Sequence, residues 1–148
     1  MLLVERMTIG HSILKKSHTF AVVGVSQDRQ KYGYEVFRAL VESGYKVYPV
    51  NPKYTNVDEA TCYPSLQALP EKPEVVVTAT PPAVTEKVAE ACAQLKIGTL
   101  WMPPETWSDK SIETCNSHGI QEIHDLCLVF ALKSLKEGEA YEPSSQHP

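Results

Sequence analysis

Gly24-Val25-Ser26, Lys31 and Gly33 carry the most legible chemistry in this chain. They follow an apolar run, Phe20 to Val25, and open a helical stretch, so they fall where a strand turns into a helix. Gly24 lets the backbone bend with no side chain in a ligand's way. Ser26 offers a hydroxyl and an amide. Gly33 opens the helix, so its amide and those beside it point back at an anion, and Lys31 adds a full positive charge. The chemistry is recognition of phosphate. The plainer reading of the same residues is that strand-to-helix turns favour Gly and Ser in general and that Lys31 is a solvated surface charge.

The turn differs from the usual dinucleotide fingerprint. G-x-G-x-x-G is absent, and the loop to Gly33 is longer than that pattern allows. A second discriminator closes the next apolar run. A NAD site carries Asp or Glu there for the ribose hydroxyl, whereas this chain has Asn51-Pro52-Lys53. Lys53 suits an additional phosphate on the ribose, as in NADP or coenzyme A; it is otherwise a surface lysine after a proline turn. Thr80-Pro81-Pro82 removes amide donors and makes a flat apolar wall suited to a pantetheine arm, although helix initiation by proline explains the same residues.

Other reactive types are scattered. The five histidines do not cluster, and no Cys/His pair has zinc-ligand spacing. His124-Asp125 follows the last strand, where a loop role is favoured over an acid–base pair. Cys127 starts the closing helix, where a helix N-terminus can lower a thiol pKa, but packing is the favoured role. Of Glu105, His124, Asp125 and Cys127, none has an orienting partner evident in the sequence. No catalytic residue is assigned, and the isolated chain is expected to show no turnover.

The elements that must position these residues follow from periodicity. A short helix is expected over 8–16, with Thr8 as its N-cap, and then a strand over Phe20–Val25. A helix over Gly33–Glu42 follows, ended by Gly44, and a strand over Lys46–Val50. Residues 55–69 are irregular, with a short edge strand near Thr61–Tyr63 and one helical turn capped by Ser65. Glu74–Ala79 is the clearest strand. Thr80 is expected to cap the next helix, whose buried stripe is Val84, Val88, Ala91 and Leu95. A strand over Gly98–Met102, a helix from the Ser108 cap to Ser117, a strand over Ile120–Ile123 and a helix over Leu126–Lys136 complete the chain. The segment from Gly138 has no apolar periodicity and is expected to be disordered, leaving residues 1–137 as a single domain. Strands alternating with helices predict a three-layer α/β fold with a parallel sheet, ligands sitting beyond the strand carboxyl ends.

Composition narrows the functional classes. The chain has 148 residues, 43% hydrophobic and 22% charged, with a net charge of −4. That acidic balance argues against nucleic-acid and anionic-membrane partners, which need a basic face. No apolar run reaches the roughly 20 residues needed to span a bilayer. Glu5 and Arg6 interrupt the first apolar stretch, which does not read as a signal peptide. Four widely spaced cysteines suit a reduced, cytoplasmic setting.

The segments GVS, KYG, YPVNPK, YPSLQALP, TATPP and LWMPPE, in that order and followed by Cys127, resemble the small stand-alone CoA-binding proteins. These are similar to the nucleotide-binding domain of the succinyl-CoA synthetase alpha subunit. The resemblance covers residues 8 to 135 and implies a Rossmann-like sheet of strand order 3-2-1-4-5-6. It implies that Gly24, Val25, Ser26, Lys31 and Gly33 surround a pyrophosphate, with Tyr32 among the cofactor-binding residues. Asn51, Pro52 and Lys53 would lie by the adenosine and its 3′-phosphate, and Thr80, Pro81 and Pro82 along the pantetheine path. Met102 and Pro103 would lie at the thiol end. There the chain departs from its relatives, which commonly carry Gln-x-Gly or Glu-Gly where it has Met102-Pro103-Pro104-Glu105-Thr106. The second domain of the ligase, with its phosphorylated histidine, is not found here, nor is an ATP-grasp partner. The expected ligand is CoA or acyl-CoA. An NADP-binding reductase-like domain and a CoA-sensing module that docks on a protein partner are the alternatives.

Overall fold

The computed structural model describes residues 1–140. In chain order the elements are α1 (Leu3–Lys16), β1 (Thr19–Val23), α2 (Tyr32–Glu42), β2 (Lys46–Val50), β3 (Asn56–Val57), β4 (Ala60–Thr61), a 3-10 turn (Leu66–Ala68), β5 (Val75–Thr78), α3 (Pro82–Leu95), β6 (Thr99–Met102), α4 (Asp109–Ser117), β7 (Gln121–His124) and α5 (Leu128–Ala140).

Five strands form one parallel sheet in the order β2-β1-β5-β6-β7. Apolar residues cover both of its faces, as a parallel sheet under helices requires. Alternate residues of β1 separate the layers. Phe20 and Val22 pack with Ile13 of α1, Leu40 of α2 and Leu132 of α5, whereas Ala21 packs with Val88 of α3 and Cys115 of α4. β5 is central, and its four residues are all fully buried. The fold is therefore the three-layer Rossmann-like α/β architecture expected. Of the edge strand expected near Thr61–Tyr63, Thr61 ends β4, paired antiparallel with β3, and Tyr63 forms one parallel bridge with Val50. That bridge lies beyond β2, the place of strand 3 in the order 3-2-1-4-5-6.

Several boundaries differ from the sequence expectation for identifiable reasons. α1 begins at Leu3, and Thr8 lies inside it with its hydroxyl donating to the Val4 carbonyl at 2.9 Å. Leu3 and Val4 are exposed in that first turn, and Glu5 and Arg6 interrupt the apolar periodicity after them. α5 continues through Gly138 to Ala140, into the segment expected to be disordered. The rest of that segment lies outside the described residues. The β3–β4 hairpin is invisible in the sequence, because strands of two residues show no periodicity. Its turn places Asp58 at φ +50, a conformation usually supplied by Asn or Gly. Among the described residues, no helix is long and apolar enough to cross a membrane.

Candidate functional site

Gly24 ends β1 at φ +91, and a Cβ there would lie 2.4 Å from the Ala79 carbonyl oxygen. The turn thus passes against the end of β5 with no room for a side chain. Gly33, in the first turn of α2, is equally confined. Its Cβ would fall 2.5 Å from the Gly24 carbonyl oxygen. The two glycines let the helix start directly against the strand end. Lys31 is the N-cap residue of α2 and makes no side-chain capping bond. The Lys31 carbonyl accepts from the Tyr34 and Glu35 amides at 3.1 and 3.2 Å, so the Tyr32 and Gly33 amides are left to another acceptor, with the helix dipole behind them.

The loop between these glycines is internally braced. The Ser26 hydroxyl accepts from the Asp28 amide at 2.9 Å, and an Asp28 carboxylate oxygen accepts from the Gln30 amide at 2.9 Å. Val25 is fully buried. Asn51, at the end of β2, donates from its side-chain amide to the Val25 carbonyl at 2.8 Å and accepts from the Lys53 amide at 2.9 Å. Its side chain is spent joining the two loops. Asn51 lines the cleft, and its side chain acts as the bridge that positions the corner presenting Lys53.

One cleft of about 1310 Å³ runs along the carboxyl ends of β2, β1, β5 and β6. Eleven of the fourteen residues singled out from the sequence line it: Gly24, Val25, Ser26, Lys31, Tyr32, Gly33, Asn51, Pro52, Lys53, Thr80 and Pro81. Three do not. Met102 is fully buried with the α3–α4 layer, because the pleat of β6 turns it inward. Pro103 is buried beneath the next turn. Pro82 is the exposed first residue of α3, with Pro81 rather than Thr80 as the N-cap. The Thr80 hydroxyl is instead hydrogen-bonded to that of Thr85 at 2.7 Å.

The cleft also recruits residues that sequence reasoning missed. Val84, Lys87, Val88 and Ala91 form one stripe of α3 facing Leu66 and Pro64. Periodicity alone assigns Val84 and Ala91 to the core, because it marks an apolar face without saying what covers it. The loop after β6 supplies Pro104, Glu105 and Thr106. The Pro103 carbonyl accepts from the Thr106 amide at 3.2 Å and from its hydroxyl at 2.8 Å, and that hydroxyl meets the hydroxyl of Thr78 at 3.0 Å. Proline at the second position and Glu105 at φ +70 at the third are the features of a type II turn. Glycine is usual at that third position, and a side chain there costs about 1 kcal/mol.

Cys127 reaches the cleft from the start of α5. The Tyr32 hydroxyl donates to the Cys127 sulfur at 3.5 Å and accepts from the Leu128 amide at 3.0 Å, tying α2 to α5. Burial is the main cause of the strongly raised pKa of Tyr32, so the hydroxyl stays protonated. His124 also has a partner that the sequence did not reveal. Glu122, two residues earlier on the same face of β7, meets its Nδ1 at 2.8 Å, and Trp107 packs on its ring at 4.9 Å between centroids. His124, Glu122 and Trp107 are not among the cleft-lining residues. Trp101 is core, donating to the Leu126 carbonyl at 2.8 Å.

Residues 18–133 match a family model described as CoA binding domain. The chain is 34% identical over 76 residues to the acetate–CoA ligase [ADP-forming] II of Archaeoglobus fulgidus. That match covers 50% of this chain and 11% of the ligase, so the chain spans about a tenth of that relative's length. It is 26% identical over 122 residues to an uncharacterized protein, YneT, of Bacillus subtilis, covering 80% of this chain and 88% of that one. Among solved structures, a hypothetical protein from Pyrococcus horikoshii superposes with a TM-score of 0.84 at 28% identity, over 88% of this chain and 92% of that one.

Proposed function

The chain belongs to the CoA binding domain family, and we propose that its cleft binds coenzyme A or an acyl-CoA without chemistry of its own. One observation carries the reading. The uncapped start of α2, Lys31 and Lys53 converge on a single cleft whose far wall is apolar. The amides of α2 and Lys31 hold the pyrophosphate, combining a helix N-terminus with a point charge. Lys53, presented by the Asn51 bridge, meets the 3′-phosphate. Leu66, Val84 and Val88 flank the adenosine, and Thr80 and Pro81 border the pantetheine arm on its way to the loop after β6.

The protein binds rather than turns over its ligand. Thioester chemistry needs a base or nucleophile within reach of the carbonyl. His124, oriented by Glu122, stands outside the cleft lining. Cys127 lines it, but its hydrogen bond comes from a tyrosine hydroxyl that remains a donor rather than a base. Four free cysteines suit a reducing, cytoplasmic setting.

Calorimetric titration tests the assignment. CoA is expected to bind more tightly than dephospho-CoA, and NAD most weakly. Equal affinity for CoA and dephospho-CoA removes the 3′-phosphate role, and tighter binding of NADP than of CoA overturns the reading.

A further inference from the structure

The charges along the cleft are sorted. Lys31, Lys53 and Lys87 line the part formed by α2, the β2 corner and α3, and Glu105 is the one carboxylate among the described lining residues. It stands on the β6–α4 loop, beside Pro104 and Thr106. The β2 corner and that loop are three strand spacings apart, roughly 14 Å at about 4.8 Å per strand. Glu105 forms no ion pair among the described residues, and its turn is pinned by the hydroxyls of Thr106 and Thr78. It also occupies a left-handed position, φ +70, that glycine adopts without strain. A charged side chain held at such a position beside a ligand cleft is a strained feature from which a role can be argued.

We propose that Glu105 selects the acyl group, so that the protein takes free CoA and neutral acyl-CoAs and rejects those ending in a carboxylate. This rests on the cleft holding CoA as described above. All the phosphates of CoA lie toward its nucleotide end, and the three lysines draw that end to their side of the cleft. The thiol or acyl end is left beside Glu105. A terminal carboxylate there faces a fixed like charge with no cation of the β6–α4 loop to offset it. A neutral acetyl or butyryl group meets no such repulsion. At separations of several ångströms in a partly solvated cleft, the repulsion corresponds to about threefold to tenfold in affinity. It is screened by salt.

Calorimetry with the whole chain tests this, using CoA, acetyl-CoA, butyryl-CoA and succinyl-CoA at low and high ionic strength. Wild type is expected to bind succinyl-CoA about threefold to tenfold more weakly than butyryl-CoA, with the gap narrowing at high salt. Glu105→Gln, which keeps the size and removes the charge, is expected to close the gap between succinyl-CoA and butyryl-CoA. Glu105→Gly is expected to do the same and to raise thermal stability by relieving the backbone. Equal binding of succinyl-CoA and butyryl-CoA by wild type overturns the proposal. So does a gap that persists in Glu105→Gln or is indifferent to salt, since that points to shape instead of charge. If no CoA species binds at all, the CoA reading itself fails and this proposal falls with it.

Discussion

Gly33 sits so close to Gly24 that a methyl group on it would lie 2.5 Å from the Gly24 carbonyl oxygen and 3.1 Å from the Val25 Cα. The obstacle is backbone on both sides, so it cannot give as a flexible side chain would. Gly33→Ala is therefore expected to push the first turn of α2 away from the β1 turn. Destabilisation of about 1–3 kcal/mol, the usual cost of overpacking, should appear in chemical denaturation. CoA affinity should fall at least tenfold, because the amide donors no longer face the cleft. A variant of unchanged stability and affinity would show that this close approach is dispensable.

Asn51 bridges the two loops of the cleft, so its removal should be felt by every ligand and most by one that reaches Lys53. Asn51→Ala leaves the Val25 carbonyl without its side-chain donor, and an unsatisfied polar group costs about 1–3 kcal/mol. The expected outcome is lower stability in denaturation and a loss of affinity for both ligands, larger for CoA because the corner presenting Lys53 is loosened as well. A loss of affinity with stability unchanged would mark Asn51 as a direct contact instead of a bridge.

Lys53 and Lys31 should separate in the same pair of titrations. A charge-assisted hydrogen bond is worth about 1.5–3 kcal/mol, and about 1.4 kcal/mol is one decade in affinity. Lys53→Ala should weaken CoA about tenfold or more and leave dephospho-CoA nearly unchanged. Lys31→Ala should weaken both. An equal penalty on both ligands from Lys53→Ala would reverse the assignment.

The thiols provide a map of the cleft. Burial pushes Cys92 and Cys115 up to about 12 and also raises Cys62, so all three stay protonated at about pH 8. The thiolate is the reactive form. Iodoacetamide at about pH 8 should modify Cys127 first in the native protein and reach the others only after denaturation, as read by intact mass. CoA should slow the Cys127 reaction. First modification at Cys92, or no protection by CoA, would contradict the placement.

Glu74 ties the start of β5 to that of β1. Its carboxylate accepts from the His18 amide at 2.7 Å and the Thr19 amide at 3.1 Å, and these bonds hold its pKa below the ordinary value. Because the folded form is the stronger acid, this stabilisation is present above the unfolded pKa of 4.5 and is lost as pH falls through the folded value. Glu74 is exposed, so solvent screening holds the contribution to roughly 1 kcal/mol or less. Glu74→Gln should accordingly lower Tm at about pH 7 by no more than about 2–4 °C in a domain of this size. The difference from wild type should shrink below pH 4.5. A difference that stays constant from neutral pH to well below that value would refute the role of the charge.

The residues themselves declared the α/β order, the glycine turn that ends β1 and the Asn-Pro-Lys corner. Each rests on a local rule: an apolar run for a doubly covered strand, glycine where the backbone must bend, Asn and Pro where the chain turns away from a strand. Ser108 is a further case, since its hydroxyl caps α4 by accepting from the Ser111 amide at 3.1 Å as its type and position announce. Tertiary structure decided what periodicity leaves open. The apolar stripe of α3 lines the cleft at both Val84 and Val88, but Val88 is 8% exposed and packs into the core whereas Val84 is 43% exposed. Met102 turned inward because the pleat of β6, set by its neighbours, chose its face. Glu122 met His124, and Tyr32 met Cys127, through a shared strand face and a helix packing that no spacing in the sequence encodes. Local chemistry is written in residue types. Which side of an element faces the ligand depends on what else is packed against it, and that is a property of the folded chain alone.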